Sequence, residues 1–368
     1  RDLVRSRGLG DVYKRQIAAC PKHFAVNSQE LRRMANDSVV DERTFREIYT
    51  TGFEIAIKEG KSKSIMSSYN EVNGVYANEN SHMLQEILVD EWGFDGFVVS
   101  DWGGSNDHAL GVKNGSHLEM PGTGKSGMYD IIHAVENGDL DEAVLDQRLD
   151  ELLNVIFSTH QATEDAKGKT FDVEAHHNLT KQPEAILDVI GSTDLDVVAY
   201  EQGYIRNRKP NQKLTKAAVE LAKKADIVLF FGGLDEISES EGLDRTHMSM
   251  PAAQETLLNE LTTVNKNIIV VLSAGSAIEM PWYPYVKGIV HGYLGGQAGA
   301  SAMLNILTGK VNPSGKLNET YPIHYEDTPA YAYYPSKERS SEYRESLYVG
   351  YRYYTTVGKS TRFPFGYG

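Results

Sequence analysis

The chain has 368 residues, a length that fits two domains of ordinary size or one large domain, and its 40% apolar and 24% charged content is that of a globular protein. The formal net charge of −14 disfavours nucleic acid as a partner, because a phosphate-binding surface needs a basic footprint. The single cysteine, Cys20, excludes an intramolecular disulfide framework and a thiolate zinc cluster, and no apolar run approaches the roughly 18 to 20 residues of a membrane span.

The first sixteen residues differ in character from those that follow. They are rich in arginine, show no amphipathic period and stop abruptly at the apolar sequence IAAC. We interpret residues 1–16 as a non-native leader that resembles translated sequencing-adapter read-through and carries no information about the fold. On this interpretation the natural start of the protein, with any signal peptide, is missing.

Short apolar segments alternate with helix-period sequence from Ile17 to about Thr159. This alternation predicts an α/β domain with a parallel sheet. Four strand-helix units cannot close an eight-stranded barrel. The pattern is therefore consistent with two alternatives, an open sheet or a barrel of which half is absent. The predicted strands are 17–20, 64–67, 97–100 and, more weakly, 118–120, and the predicted helices are 44–59, 82–92, 128–137 and 141–158.

The helix predicted over 141–158 has the clearest apolar stripe of the chain. Asp139 and Glu142 have the spacing of a capping box at its start. The polar, poorly periodic residues 160–182 are predicted to form a linker. A second α/β domain is predicted over 183–368, with strands at 196–200, 227–231, 268–272 and 288–291 and helices at 214–224, 252–262 and 297–307.

The first candidate for chemistry is the stretch GFVVSDWGGSND, residues 96–107. Asp101 follows an apolar strand directly, and the C-terminal tips of parallel strands are where α/β folds carry their functional groups. Trp102 beside it offers an apolar surface that can pack on a sugar ring. The competing interpretation is that Asp101 only caps the next helix.

The second candidate is the acidic loop FFGGLDEISESEGLDR, residues 230–245. Its acids are crowded after a predicted strand, and repulsion among them or burial of one would raise a carboxyl pKa toward the range of a general acid. A solvated acidic loop is the competing interpretation. The loop lacks the glycine pattern and the lysine of a phosphate-binding loop, which disfavours nucleotide binding.

The third candidate is the pair Lys22 and His23 before Phe24, at the end of another predicted strand. An ammonium and an imidazole side by side can donate hydrogen bonds to several hydroxyl groups of a bound polyol. A surface or structural role is the competing interpretation.

Taken together, these segments resemble family 3 glycoside hydrolases, specifically the β-glucosidase branch. The resemblance follows one consistent order along most of the chain. The motifs that carry it include KHFAVNSQE (22–30), IMSSYNEVNG (65–74), ILVDEWGFDGFVVSDWGG (87–104), HLEMPG (117–122), ESEGLDRTHMSMP (239–251) and VVLSAGSAIEMPW (270–282).

The resemblance implies a (β/α)₈ TIM-type barrel, here only its C-terminal half over 17–159, followed by an α/β sandwich with a mostly parallel sheet and an active site where the two domains meet. It implies that Asp101 is the nucleophile and Glu241 the general acid/base, with Glu239 as the second choice. The implied substrate is an oligosaccharide or an aryl or alkyl β-glucoside, and no metal or organic cofactor is implied. The positions that line the glucose subsite in similar proteins are Lys22, His23, Met66, Tyr69 and Trp102.

The chain also departs from the family pattern. The first half of the barrel is missing, a stretch expected between Leu179 and Pro183 is absent, and His117 replaces the aspartate that usually precedes Leu-Glu-Met-Pro. A half barrel would leave apolar strands unpaired at an edge. We therefore expect the 368-residue polypeptide as written to be unstable or inactive, while the gene from which it derives encodes an active glucosidase.

Two other functions stay open. One is a β-xylosidase or another exo-glycosidase of the same family, because the residues that would reject a substituent at C6 are partly missing. The other is a non-catalytic fragment that binds carbohydrate without turnover. The single cysteine and the acidic charge favour a cytoplasmic location.

Overall fold

The computed structural model describes residues 17–167, 190–206, 209–296 and 298–368 of the chain. The predicted leader, residues 1–16, and residues 168–182 of the predicted linker lie outside the described residues. The chain divides into two compact units. The first unit contains the described residues up to 167 together with Tyr333–Leu347, and the second contains the described residues of 190–332 and 348–368.

Short strands alternate with helices through both units, and the helix over residues 42–58 has a π-helical middle part, Phe45–Thr50, between two α-helical parts. In chain order the elements are β1 (Asp37–Val39), α1 (Glu42–Thr44, Phe45–Thr50 and Thr51–Lys58), β2 (Ser64–Met66), β3 (Glu71–Val72), β4 (Val75–Tyr76), α2 (the π-helical His82–Glu91), β5 (Phe97–Val99), α3 (His108–Asn114), α4 (Lys125–Asn137), α5 (Glu142–Asp165), α6 (Gln212–Ala222), β6 (Val228–Gly233), α7 (Ala252–Val264), β7 (Ile268–Ser273), β8 (Gly288–His291), α8 (Gly299–Leu307), β9 (Tyr321–Pro322), β10 (Ser340–Glu342), α9 (Tyr351–Val357) and β11 (Thr361–Phe363).

A series of parallel pairings runs through the first unit. Phe24 bridges Ser67 just beyond β2, β2 pairs in parallel with β5 along its whole length, and Val99 at the end of β5 bridges Leu118. The C-terminal ends of these neighbouring segments therefore point in the same direction, which is the arrangement in which parallel sheets assemble a site. The strands predicted at 64–67 and 97–100 are confirmed, whereas residues 17–20 form no strand and 118–120 contribute only the bridge at Leu118.

A second, four-stranded sheet of the first unit has the order β10-β1-β3-β4. Its β1 is parallel to both β10 and β3, and β3 and β4 form an antiparallel pair. The pairing of Asp37 with Ser340 brings the distant segment Tyr333–Leu347 into this unit. No sequence pattern predicted that contribution, because β10 is polar and only three residues long.

The core of the first unit is apolar and lies between the parallel strands and the helices α1 and α2. Phe24 and Ile65 are fully buried there with Leu84 and Ile87 of α2. The ring of Phe24 packs edge-on against Phe53 of α1, with 5.1 Å between the centroids. The helices predicted over 44–59, 82–92 and 128–137 correspond to α1, α2 and α4.

Helix α5 begins and ends at other residues than predicted. Its N-cap is Asp141, whose side chain accepts the N–H of Ala143 at 3.0 Å, so Asp139 is not the cap. The helix continues through Asp165, and residues 160–165, predicted to be the start of a linker, are therefore helical.

The apolar stripe of α5 is largely uncovered. Leu149 and Ile156 are exposed, whereas Arg148 and Val155 are buried. A 3.6-residue period identifies a coherent apolar face, but only the neighbouring elements decide which face is covered. Here the buried face carries Arg148, which forms an ion pair with Glu151.

The second unit is built on a parallel sheet of the order β6-β7-β8. The apolar sequence of β7 is typical of a strand covered on both faces, and Ile268, Val270 and Leu272 are fully buried. Leu258 of α7 and Trp282 complete this core. The strands predicted at 227–231, 268–272 and 288–291 and the helices predicted at 214–224, 252–262 and 297–307 correspond to elements that differ by at most a few residues at each end.

The strand predicted over 196–200 is wrong, since these residues are exposed and have no regular structure. An apolar, β-branched sequence forms a strand only when a neighbour supplies the backbone hydrogen bonds. As a whole, the alternation of helices with parallel strands in both units confirms the predicted α/β class.

Candidate active site

Asp101 lies at the point where β5 gives way to polar sequence. Asp101 is only 7% exposed. One carboxylate oxygen, Oδ1, accepts the backbone N–H of Trp102 at 2.7 Å, and the other, Oδ2, is 3.3 Å from Nε2 of His23. Both oxygens therefore have a defined neighbour, and the carboxylate is held at the C-terminal end of a parallel strand.

The backbone after Asp101 turns tightly and is hydrogen-bonded to the segment that contains Met120. Gly104 donates its N–H to the Asp101 carbonyl at 2.9 Å, and Gly103 donates to the Met120 carbonyl at 2.9 Å. Gly103 has a φ of +79°, in the left-handed region that glycine adopts without strain. The two glycines thus allow the chain to turn directly behind the carboxylate.

Glu79 fixes the far end of the same loop. Its Oε1 accepts the N–H groups of Asn106 and Asp107, at 2.8 and 3.2 Å, and the residue is 2% exposed. Burial raises the pKa of Glu79, although the two backbone N–H groups oppose that shift. The sequence did not predict a role for Glu79. It lies just after the motif 65–74, and no local pattern around a single glutamate indicates a contact with a residue 27 positions away.

The cap of helix α3 is Asp107 and not Asp101. The Asp107 side chain accepts the N–H of Leu110 at 2.9 Å. This contact removes the competing interpretation in which Asp101 only caps the next helix, because that position is already occupied six residues later.

The other predicted residues of the first unit lie at the ends of the same parallel segments. Lys22 is exposed and His23 is half-buried, and the following residue, Phe24, donates its N–H to the Met66 carbonyl at 2.8 Å. Met66 ends β2 and is buried. The neighbouring end of β5 carries Asp101, which His23 contacts.

Tyr69 and Trp102 differ in how far solvent reaches them. Tyr69 is buried, whereas Trp102 is 52% exposed and presents its indole to solvent. The guanidinium of Arg33 lies over the Tyr69 ring, 4.7 Å from its centroid. Arg33 was not predicted, and only the folded chain brings it to Tyr69, 36 residues away in sequence.

In the second unit the acidic loop follows β6, and its acids have different surroundings. Asp235 is buried and accepts the N–H and the hydroxyl of Ser238, at 2.9 and 2.7 Å. Glu239 accepts the N–H of Gly275 at 2.8 Å and the hydroxyl of Ser276 at 3.1 Å. Glu241 is exposed. Two of the acids thus serve the structure of the loop.

A cavity of about 430 Å³ in the first unit is lined by none of the predicted site residues, although Glu79 borders it. It is bordered by the starts of α1 and α2, the β3-β4 hairpin and α3. Its lining residues are Glu42, Phe45, Val72, Asn73, Val75, Glu79, Asn80, Ser81, His82, Met83, Leu110 and Asn114.

The described residues offer neither a metal-binding cluster nor a membrane-spanning helix. In the ranges given above there is no group of three or more His, Cys, Asp or Glu side chains suited to a metal ion. Among the helices of those same ranges, none is long and apolar enough to cross a membrane.

Two family models match the chain. Residues 6–155 match the glycosyl hydrolase family 3 N-terminal domain, and residues 93–367 match the C-terminal domain of the same family. The chain belongs to glycosyl hydrolase family 3. The resemblance drawn from the motifs is therefore confirmed, and with it the assignment to a family of glycoside hydrolases.

Several curated relatives and solved structures are similar to this family 3 chain. Thermostable beta-glucosidase B of Acetivibrio thermocellus is 39% identical over 417 residues, which cover 99% of this chain and 54% of that protein. An exo-alpha-(1->6)-L-arabinopyranosidase of Bifidobacterium longum is 35% identical, with the same two coverages. The family 3 beta-glucosidase of Bifidobacterium adolescentis superposes with a TM-score of 0.90 at 34% identity, covering 96% of this chain and 59% of that one. The chain spans about half the length of the curated relatives it matches.

Proposed function

We propose that the protein is a retaining, exo-acting β-glucosidase that removes terminal non-reducing β-D-glucosyl residues. The observation that carries the proposal is the placement of Asp101. Its carboxylate is buried at the C-terminal end of β5 and anchored by Trp102 and His23. Relatives of this chain in the same family are named beta-glucosidases. An anchored carboxylate at a strand end is what a nucleophile needs, because it must meet the substrate in one orientation.

In this mechanism two carboxyl groups divide the work. Asp101 attacks the anomeric carbon and forms a covalent glycosyl ester, while Glu241 gives its proton to the departing glycosidic oxygen. Glu241, now ionised, takes a proton from water, and the resulting nucleophile breaks the ester to release β-glucose and the Asp101 carboxylate. Two successive inversions retain the configuration at the anomeric carbon.

The sugar is held by the side chains around Asp101. The exposed indole of Trp102 offers an apolar face to the C–H side of a pyranose ring. Tyr69, three residues after the end of β2, is buried. Lys22 and His23 donate hydrogen bonds to ring hydroxyl groups. Met66 completes the apolar part of the subsite. The substrates that fit are oligosaccharides and aryl or alkyl β-glucosides.

We further propose that the parallel series of the first unit is the C-terminal half of a (β/α)₈ barrel and that the second unit is an α/β sandwich domain. The successive parallel pairings from Phe24 to Leu118 support the first assignment, and the parallel sheet β6-β7-β8 with its buried central strand supports the second. The domain boundaries at 159 and 183 and the cytoplasmic location stay predictions.

The proposal is tested by trapping the glycosyl-enzyme. The 368-residue chain is incubated with a 2-deoxy-2-fluoro-β-glucosyl inactivator, which slows the second step, and is then analysed by intact mass and peptide mapping. One adduct on the peptide that carries Asp101 is expected, in this chain if it assembles its site and otherwise in a chain with the first half of the barrel restored. The Asp101→Asn variant is the matched control and takes up no label. Labelling of another carboxylate, or full turnover by Asp101→Asn, would refute the assignment.

A second candidate is an exo-glycosidase for a sugar that lacks the C6 hydroxymethyl group, such as a β-xylosidase. This candidate is supported by the 35% identity to an exo-alpha-(1->6)-L-arabinopyranosidase. Values of kcat/KM for aryl β-glucoside, β-xyloside and α-L-arabinopyranoside measured side by side decide between them. Calorimetric binding of glucose without hydrolysis of any of these substrates would instead indicate a non-catalytic, carbohydrate-binding fragment.

A further inference from the structure

The loop that carries Glu241 is tied at both ends to the same short segment, Gly275 to Ala277. Before Glu241, the Oε1 atom of Glu239 accepts the Gly275 N–H at 2.8 Å and the Ser276 hydroxyl at 3.1 Å. After Glu241, Nη1 of Arg245 donates to the Ser276 hydroxyl at 2.7 Å and to the Ala277 carbonyl at 3.2 Å. The Ser276 hydroxyl therefore donates to one flank of the loop and accepts from the other.

The segment that receives the loop is shaped for close approach. A Cβ atom added to Gly275 would lie 2.9 Å from Oε1 of Glu239, nearer than such atoms approach in proteins. A larger residue at 275 would therefore displace the Glu239 carboxylate. Glycine at this position lets the backbone N–H and the carboxylate meet directly.

The charges in this cluster reinforce the hydrogen bonds. Burial lowers the pKa of Arg245, and the nearby carboxylates of Glu239 and Glu319 counteract that shift. The Nη2 atom of Arg245 is buried and makes no hydrogen bond. A partly buried guanidinium held beside carboxylates gains more from them than an exposed one would, because the local dielectric is lower than that of water.

The turn between the two anchors presents Glu241. Gly242, the next residue, has a φ of +84° and lets the chain reverse. Glu241 is exposed at this reversal, two residues after one anchor and four residues before the other. Misplacement of a catalytic group by about 1 Å can cost on the order of a hundredfold in rate, so a loop that carries such a group needs anchors of this kind.

We infer that Glu239, Ser276 and Arg245 form a clamp that positions the Glu241 loop, with Ser276 as its central positioning residue. Glu239 is then a positioning residue and not a second acid/base. The inference rests on the proposed acid/base role of Glu241 for its catalytic consequence, but the clamp itself is a property of the second unit.

The clamp is tested first by amide hydrogen exchange in peptides that cover 239–245 and 275–277 of the full chain. Ser276→Ala removes both hydroxyl contacts, and Gly275→Ala displaces the Glu239 carboxylate without removing a polar group. Each is expected to speed exchange in these peptides about fivefold to tenfold, the ratio that corresponds to one lost hydrogen bond. Ser276→Thr retains the hydroxyl and is expected to exchange like the wild type. Ser240→Ala is the matched control, because the Ser240 hydroxyl bonds only to the Glu241 carbonyl within the loop.

The catalytic consequence is tested by the leaving group. Departure of phenol needs proton donation and departure of 2,4-dinitrophenol does not, so Ser276→Ala is expected to lower kcat/KM about tenfold for phenyl β-glucoside and little for the dinitrophenyl substrate. Equal losses on both substrates would overturn the positioning of the acid. Unchanged exchange in Ser276→Ala and Gly275→Ala would overturn the clamp. If neither this chain nor one with the first half of the barrel restored hydrolyses either substrate, the proposed function fails, while the exchange experiment still decides the clamp.

Discussion

The Nε2 atom of His117 lies 2.7 Å from a carboxylate oxygen of Glu151, and the imidazole is almost completely buried. The other ring nitrogen, Nδ1, accepts the N–H of Val98 at 3.1 Å, which assigns the ring proton to Nε2. Glu151 also pairs with the buried Arg148. The contacts thus join β5, three residues before Asp101, to helix α5.

Replacing the carboxylate of this cluster should destabilise the first unit in a pH-dependent way. Burial by itself would raise the pKa of Glu151, but hydrogen bonds from His117 and Gln147 and the charge of Arg148 outweigh it, and the pKa is lowered. A lowered acid pKa contributes stability above the ordinary value of 4.5, and this contribution is lost as pH falls through the lowered value. Glu151→Gln should therefore cost about 2 to 4 kcal/mol at pH 7, because the buried Arg148 loses its counter-charge, and less below pH 4.

Urea unfolding at several pH values measures this difference. Asp150→Asn, an exposed neighbour on the same helix, is the matched control and should change the unfolding free energy little at any pH. A cost of Glu151→Gln that stayed constant down to pH 3 would show that the charge of Glu151 is not what stabilises the cluster.

Glu79 should have the opposite pH dependence. Because burial raises its pKa, its contribution to stability is present below the ordinary value of 4.5 and is lost as pH rises through the raised value. Glu79→Gln keeps an acceptor for the Asn106 and Asp107 N–H groups but does not ionise. Relative to wild type, the variant should therefore gain stability between pH 5 and pH 8. Denaturant midpoints of the variant and the wild type at pH 5 and pH 8 check this. Glu136→Gln, at an exposed position, is the control. A midpoint difference between Glu79→Gln and the wild type that is the same at both pH values would contradict the prediction.

Gly233 at the end of β6 should not tolerate a side chain. It has a φ of +149°, and an added Cβ would lie 1.7 Å from the Ser273 carbonyl oxygen of β7. We expect Gly233→Ala to lower the unfolding free energy by about 2 to 4 kcal/mol, because the β6-β7 register must shift. Gly288→Ala on β8 is the matched control, since no atom lies within 4 Å of its added Cβ. Equal melting temperatures of the two variants would show that the strand end adapts.

Trp102 should affect sugar binding without affecting stability. Its ring is 52% exposed, so Trp102→Ala removes little buried surface. If its face packs on the glucosyl ring, the variant should raise KM about tenfold while the melting temperature stays within error of wild type. Trp102→Phe keeps an aromatic face and should recover most of the affinity. An unchanged KM in Trp102→Ala would remove this residue from the proposed subsite.

Sequence motifs succeeded where chemistry and local pattern coincide. Asp101 was selected because it ends an apolar strand, and the structure places it at the end of β5 with an anchored carboxylate. The buried strand β7 and the half-buried strand β8 agree with the prediction nearly to the residue, because a short apolar run between polar turns is typical of a covered parallel strand.

Local pattern failed where burial depends on distant neighbours. The stripe on α5 is apolar, yet Leu149 and Ile156 are exposed, and residues 196–200 have strand propensity but no strand partner. The contribution of Tyr333–Leu347 to the first unit through β10 has no local signal at all. Such pairings are decided by which segments meet after the chain has folded.

By itself the sequence determined the α/β class, the family and the carboxylates worth testing, since these depend on periodicity and on residue types in a fixed order. Only the tertiary structure decided which groups each carboxylate contacts. Glu79, Asp107 and Glu239 accept backbone N–H groups, and Asp101 accepts one from Trp102 and also meets His23 from another strand end. The physical reason is that hydrogen bonds and burial are long-range properties, formed between segments that no local pattern connects.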